Sequence, residues 1–296
     1  MQETYYRNKT SRPTLEITTM IGCPLMCNYC PQDSLRDAYG DDIKYMQLDD
    51  FKTIIDKLPQ DVRLDFSGQA EPWVNPDCTN MVEYALAKGF KLAIFTTLYN
   101  WDESTVHRMG GLLLQYADQI EIFKIHFPDE KGNMRGWKPS AEWEYAYIGM
   151  RTILQKAEIY YEAMTMSDDG VHPAVRHLPG VGVSHGWSIA AHDRAGTLDT
   201  DSVKEQPIKF SPKHQQPIKC GKTELYNQGV LLPNGEVLLC CMDYDKKHVM
   251  GNLLDHDYQD LYTNSEIVKL KRLNALPYYT DESLCKGCVD AIVDTA

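Results

Sequence analysis

Three cysteines at the spacing C-x3-C-x2-C, namely Cys23, Cys27 and Cys30, constrain this 296-residue chain more than any other feature. They follow an alternating, β-rich run over residues 15–21, which predicts a first strand running straight into the cysteine loop. Three thiolates this close together can hold three irons of a [4Fe–4S] cluster and leave the fourth iron open to a substrate. Zinc is the alternative, because cysteines two residues apart also bind zinc, but a structural zinc takes four protein donors. No histidine or fourth cysteine lies near the stretch, and the next cysteine is Cys78.

Beyond the loop the chain alternates between helical and strand patterns. Apolar spacing over 48–58 precedes a strand over 62–67, which opens onto Gly68-Gln69-Ala70-Glu71-Pro72. A glycine there lets backbone approach a ligand, and a carboxylate can pair with an ammonium group. Helices over 78–88, 102–116 and 141–154 precede strands over 91–97, 120–127 and 157–164, and a sixth strand is expected near 181–190. Such alternation implies parallel strands joined by right-handed crossovers. Six units ending near residue 196 are too few for a closed eight-fold barrel, which takes about 250 residues. The expected fold is α/β, a partial (β/α)6 barrel over 1–196 with its chemistry at the C-terminal strand ends. Lys124, His126, Glu162 and His185 stand at those ends as candidate substrate contacts, alongside Thr96, Thr97 and Trp187.

Forty-two acidic against 30 basic residues, a formal net charge of −12, argue against a nucleic-acid partner. There is no apolar run of about 18 residues and no N-terminal apolar stretch, so neither a membrane span nor a signal peptide is expected, and the location expected is cytoplasmic. Nine cysteines in a reducing compartment read as metal ligands before disulfides.

Residues 197–217, rich in Asp, Lys, Gln, Ser and Pro, read as a linker or cover loop before a small unit over 218–296. Within that unit Asn234-Gly235 joins two apolar runs, a strong hairpin signal, and a helix is expected over 258–273. The hairpin returns Cys240 toward Cys220, and the helix leads to Cys285 and Cys288. Four thiolates from three places can then converge on one site, as zinc or as a cluster. Cys240 and Cys241 are neighbours on a strand and face opposite ways, so one of them is spare.

The cysteine motif, with Tyr29 before its last cysteine, resembles that of the radical S-adenosylmethionine (SAM) superfamily, whose cluster binds SAM at the open iron. Gly68-Gln69-Ala70-Glu71-Pro72 resembles the superfamily's Gly-Gly-Glu-Pro motif, with Gln69-Ala70 where glycine is usual. His192-Asp193-Arg194-Ala195-Gly196 resembles the Arg-Ala-Gly segment after the last barrel strand. The resemblance implies SAM contacts from Tyr29, Gly68, Glu71, Thr97 and Arg194; for Arg194 a surface salt bridge is the alternative. The order Cys220, Gly235, Cys240, then Cys285-x2-Cys288 resembles the Twitch domain, the short form of SPASM, and implies an auxiliary [4Fe–4S] cluster on Cys220, Cys240, Cys285 and Cys288. By the same resemblance Cys241 is either a hydrogen-atom donor to a substrate radical or a buried small apolar residue.

The implied chemistry is reductive cleavage of SAM to a 5′-deoxyadenosyl radical that takes a hydrogen atom from a C–H bond, with electrons from a flavodoxin- or ferredoxin-like donor. Twitch enzymes, among them the 2-deoxy-scyllo-inosamine dehydrogenases, act on aminocyclitols and aminoglycoside sugars. Peptide-modifying relatives often carry a leader-binding domain before the motif, whereas 22 residues precede Cys23 here. The expectation is therefore a small, carbohydrate-like substrate undergoing oxidation, epimerisation or dehydration. Peptide epimerisation or cross-linking is the alternative, and a non-catalytic iron–sulfur or zinc protein a more distant one.

Overall fold

The computed structural model describes residues 12–165, 170–181, 192–204, 208–223 and 225–295. Its first strand, β1 (Thr14–Ile17), lies inside an eight-stranded sheet. Strand geometry ends before the expected residue 21, and Thr18 and Thr19 turn their hydroxyls to the loop after the second strand. Thr18 Oγ1 accepts from Gln69 N, and Thr19 Oγ1 donates to the Pro72 carbonyl.

Helix α1 (Gln32–Tyr39), which the apolar pattern did not indicate, leaves the cysteine loop directly. There follow α2 (Leu48–Ile55), β2 (Arg63–Phe66), α3 (Cys78–Ala87), β3 (Leu92–Thr96), α4 (Glu103–Gln115), β4 (Ile120–Phe127), α5 (Ala141–Lys156) and β5 (Tyr161–Thr165). Each of these strands pairs in parallel with the one before it. Asp102 and Ser140 cap α4 and α5, accepting from Thr105 N and Trp143 N and so satisfying otherwise orphaned donors. The strand expected over 157–164 starts later, at Tyr161. Glu158 takes φ 55°, the left-handed turn that commonly closes a helix, and the intervening residues are consumed in leaving α5. The expected sixth strand, with His185 and Trp187, lies outside the described residues.

The C-terminal region supplies β6 (Ile218–Cys220), β7 (Gln228–Leu231), β8 (Glu236–Leu238), β9 (Val249–Asn252), α6 (Ser265–Asn274) and β10 (Ala291–Val293). Strand β7 pairs in parallel with β1, from Thr14↔Gln228 to Ile17↔Leu231, so the hairpin turning at Asn234-Gly235 extends the same sheet: β5-β4-β3-β2-β1-β7-β8-β9. Strands β6 and β10 form a separate antiparallel pair. The helix expected over 258–273 is two pieces, a 3-10 turn Tyr258–Tyr262 and then α6. Asn264 splits them, because its side chain accepts from Glu266 N and Ile267 N and starts a new helix there.

Helices α2 to α5 bury Phe51, Ile54, Met81, Val106, Tyr147 and Leu154 against sheet residues such as Leu64, Ile94 and Phe127. Each such side chain contributes roughly 1.5–3 kcal/mol by leaving water. Among the described residues no helix is long and apolar enough to cross a membrane.

Candidate active site

Cys23, Cys27 and Cys30 line a cavity of about 160 Å³ at the C-terminal ends of β1 to β4. The segment after β4 clamps their loop from outside. Gly136 N donates to the Leu25 carbonyl at 2.7 Å, Asn28 N to the Asn133 carbonyl at 2.8 Å, and Arg135 Nε to the Met26 carbonyl at 2.9 Å. A Cβ at Gly136 would stand 2.0 Å from the Pro24 carbonyl oxygen, so only glycine allows this approach. Asn133 is itself held by the buried Asp129 carboxylate, which accepts from its backbone nitrogen at 3.1 Å.

The loop after β2 forms a second wall. Gly68 has φ 54°, and a Cβ there would meet Thr18 within 2.7 Å. Glu71 is buried, and its carboxylate accepts from Thr96 Oγ1 (2.7 Å), Thr97 N (2.7 Å) and Thr97 Oγ1 (2.8 Å). Burial pushes its carboxyl upward while these donors oppose the shift. The Trp73 backbone N–H adds to these donors, so the carboxylate is held in a fixed orientation on the cavity wall. Arg194 enters the same cavity from a turn in which Arg194 and Ala195 take φ 50° and 56°. Left-handed backbone costs each of them about 1–2 kcal/mol, strain of the kind that collects at functional sites.

Tyr29, Gly68, Glu71, Thr97, His126 and Arg194 thus all line the cavity of the three cysteines. Three buried polar atoms there, Tyr29 Oη, Gln69 Oε1 and His126 Nε2, have no hydrogen-bond partner. Orphaned polar atoms are costly, and three on one cavity fit a polar ligand such as SAM. Burial, with Lys124 nearby, lowers the His126 imidazole to about 4. Burial also pushes the Cys23 thiol up to about 12, so a metal bound there would displace a proton.

Cys220, Cys240, Cys285 and Cys288 line a second, smaller cavity of about 50 Å³, together with Cys241. Among the described residues no three His, Cys, Asp or Glu side chains close on one point as a single ion would need. Four thiols are a donor set that a [4Fe–4S] cluster takes, and that zinc takes as well. Burial raises Cys285 to about 12 and Cys288 to about 11. Lys286, between them in sequence, is fully buried, and its ammonium donates to the carbonyls of Gln216 (2.7 Å) and Leu276 (2.6 Å). Asn274 braces the floor, donating to Tyr226 Oη at 3.1 Å and accepting from Ser283 Oγ at 2.7 Å.

Lys124 and Glu162 sit opposite one another on β4 and β5 and pair, Nζ to Oε2 at 2.6 Å, instead of lining either cavity. Two further groups escaped the sequence reading. Gln32 donates through Nε2 to Cys30 Sγ (3.2 Å) and the Gln69 carbonyl (2.5 Å), while its Oε1 accepts from Cys23 N (3.2 Å). Its place two residues after the motif was the one available signal. Glu16, on β1, lines the second cavity beside Lys222 and Asp290, which pair at 2.8 Å. Burial, with Asp65 adding to it, raises the Glu16 carboxyl to about 7.

Residues 220–289 match the SPASM iron–sulfur cluster-binding domain. Comparison with curated proteins finds no match. Among solved structures, BtrN in complex with AdoMet and 2-DOIA superposes with a TM-score of 0.54 at 16% identity, covering 96% of this chain and 93% of that one. The anSMEcpe enzyme with bound AdoMet gives 0.52 at 14% identity, covering 93% and 83%. Its complex with AdoMet and the Cp18Cys peptide gives 0.51 at 15%, covering 93% and 86%. By this architecture and its domain match, the chain shares the fold of BtrN and anSMEcpe and carries a SPASM iron–sulfur cluster-binding domain over residues 220–289.

Proposed function

We propose that this protein is a radical SAM enzyme acting on a small, polar, carbohydrate-like substrate. The observation that carries the reading is the convergence of three free thiols and three orphaned polar atoms on one cavity. The bound cluster and SAM supply a carbon-centred radical able to take a hydrogen atom from an unactivated C–H bond. Glu71 offers its carboxylate to the amino group of SAM, Arg194 its planar donors to the carboxylate, and Tyr29 and His126 their unpaired atoms. The Asn133–Gly136 clamp keeps the cysteine loop in place.

Cys220, Cys240, Cys285 and Cys288 hold an auxiliary cluster in this reading. Cys241 lines the same cavity, and burial raises its thiol to about 12, so it keeps its hydrogen at neutral pH. In an epimerisation it would donate that hydrogen atom to a substrate radical. The likeness to BtrN bound to 2-DOIA supports a hydroxylated or aminated substrate. The second reading, radical modification of a peptide, draws on the likeness to anSMEcpe with a bound peptide.

Anaerobic reconstitution tests the proposal. The wild type should hold about eight irons, at four per cluster, and cleave SAM under reducing conditions. Deuterium from a labelled aminocyclitol or sugar should appear in 5′-deoxyadenosine. Transfer from a labelled peptide alone would replace the carbohydrate reading, and iron without SAM cleavage would remove both.

A further inference from the structure

Tyr244 follows the hairpin cysteines by three residues, yet it reaches the opposite end of the sequence. Its ring is buried in a small apolar cluster with Ile21, Leu35, Tyr39 and Val230, and both Cys30 and Cys241 rest against that cluster. Its hydroxyl lies 3.4 Å from Cys30 Sγ, and the Arg194 guanidinium sits 5.9 Å from its ring centre. A second tie runs alongside, with Gln69 Nε2 donating to the Asp243 carbonyl at 3.2 Å. Gln69 replaces a small residue of the usual motif, and its side chain spans from the loop after β2 to the residue before Tyr244.

We infer that Tyr244 is a positioning residue that donates a hydrogen bond to the Cys30 sulfur and thereby raises the reduction potential of the cluster on Cys23, Cys27 and Cys30. The inference rests on the proposed reading of those cysteines as cluster ligands. A ligating thiolate has no proton to give, whereas a phenol is a donor at neutral pH, so the hydrogen bond has one direction. Hydrogen bonds to ligand sulfurs stabilise the more negative, reduced cluster and move its potential upward. Cys30 already accepts from Gln32 Nε2, while Cys23 accepts from backbone N–H groups, those of Glu71 at 3.5 Å and of Leu25. Tyr244 adds a donor that belongs to the cysteine-bearing C-terminal region. Through it, any rearrangement of the Cys240–Cys241 segment is felt at the first cluster.

The test is potentiometric EPR on reconstituted full-length protein, following the signal that SAM perturbs. In Tyr244→Phe, which removes the hydroxyl and little else, the reduced-to-oxidised ratio at a fixed poise should fall about tenfold, equal to 59 mV for one electron. A fluorotyrosine at position 244, a stronger donor that keeps the ring, should move the ratio the other way. If Tyr244→Phe fails to fold or to load iron, the fluorotyrosine protein still decides the matter. An unchanged midpoint in a variant that retains iron and SAM perturbation overturns the role of Tyr244 and leaves the enzyme assignment standing. Wild-type protein without a SAM-perturbed signal overturns both.

Discussion

The two cysteine cavities differ in what burial leaves unsatisfied. The first has three thiols and three orphaned polar atoms, on Tyr29, Gln69 and His126. The second has four candidate ligand thiols, and among the described residues its polar neighbours are paired: Lys222 with Asp290, Thr223 with Asn227, and Lys286 and Asn274 beneath it. In the proposed reading the open cavity takes the ligand that comes and goes, and the closed one keeps what it holds. The two regions are tied through the chain, because Tyr244 and Gln69 join the first cavity to the segment that directly follows Cys240 and Cys241.

The sharpest way to break this contrast is to remove one thiol from each. Cys27→Ala should lose about four irons, one cluster's worth, and abolish SAM cleavage. Cys285→Ala should lose a similar amount and still cleave SAM. Equal loss of cleavage in both variants would erase the distinction between an open and a closed site.

Smaller effects should stay on their own side. Gly136→Ala drives a methyl into the Pro24 carbonyl, and should cost about 1–3 kcal/mol by overpacking and empty the first site preferentially. Lys286→Met leaves the carbonyls of Gln216 and Leu276 without their donor, costing about 1–3 kcal/mol, with iron lost from the second site. Thermal melts paired with iron analysis check both, and a G136A protein with full iron and an unshifted melt would refute the clamp.

The smallest effects are in pH, and they have opposite sign. His126 is lowered from 6.5 to about 4 by burial and Lys124, so the unfolded chain binds the extra proton between those values. Its contribution to apoprotein stability is therefore lost as pH falls through that window. Glu16 is raised from 4.5 to about 7 by burial and Asp65, against Ser67, Lys222 and Arg194, so the folded state binds the extra proton. Its contribution is lost as pH rises from 4.5 to about 7. Melting curves should show His126→Gln losing less stability than wild type on acidification, and Glu16→Gln losing less as pH rises through 4.5–7. Parallel wild-type and variant profiles would place both groups in water.

Local chemistry was legible where a few adjacent residues decide the outcome. Asp102 and Ser140 start helices with their own side chains, Asn234-Gly235 turns a hairpin by its own backbone freedom, and the cysteine spacing needs no distant partner. The helix over 258–273 misled because apolar spacing continues through a capping asparagine that restarts the chain. The pairing of Lys124 with Glu162 was not legible, because strand-end position does not reveal a neighbour on the next strand, and once in register their opposite charges pair.

By itself the sequence determined the two groups of cysteines and the succession of strands and helices that carries them, since spacing and short-range periodicity are properties of consecutive residues. Only the tertiary structure decided that β7 adds to β1, that Gly136 closes on Pro24 and that Tyr244 meets Cys30 across 214 positions. Those contacts depend on strand register and on the close packing of distant segments, which no local pattern encodes.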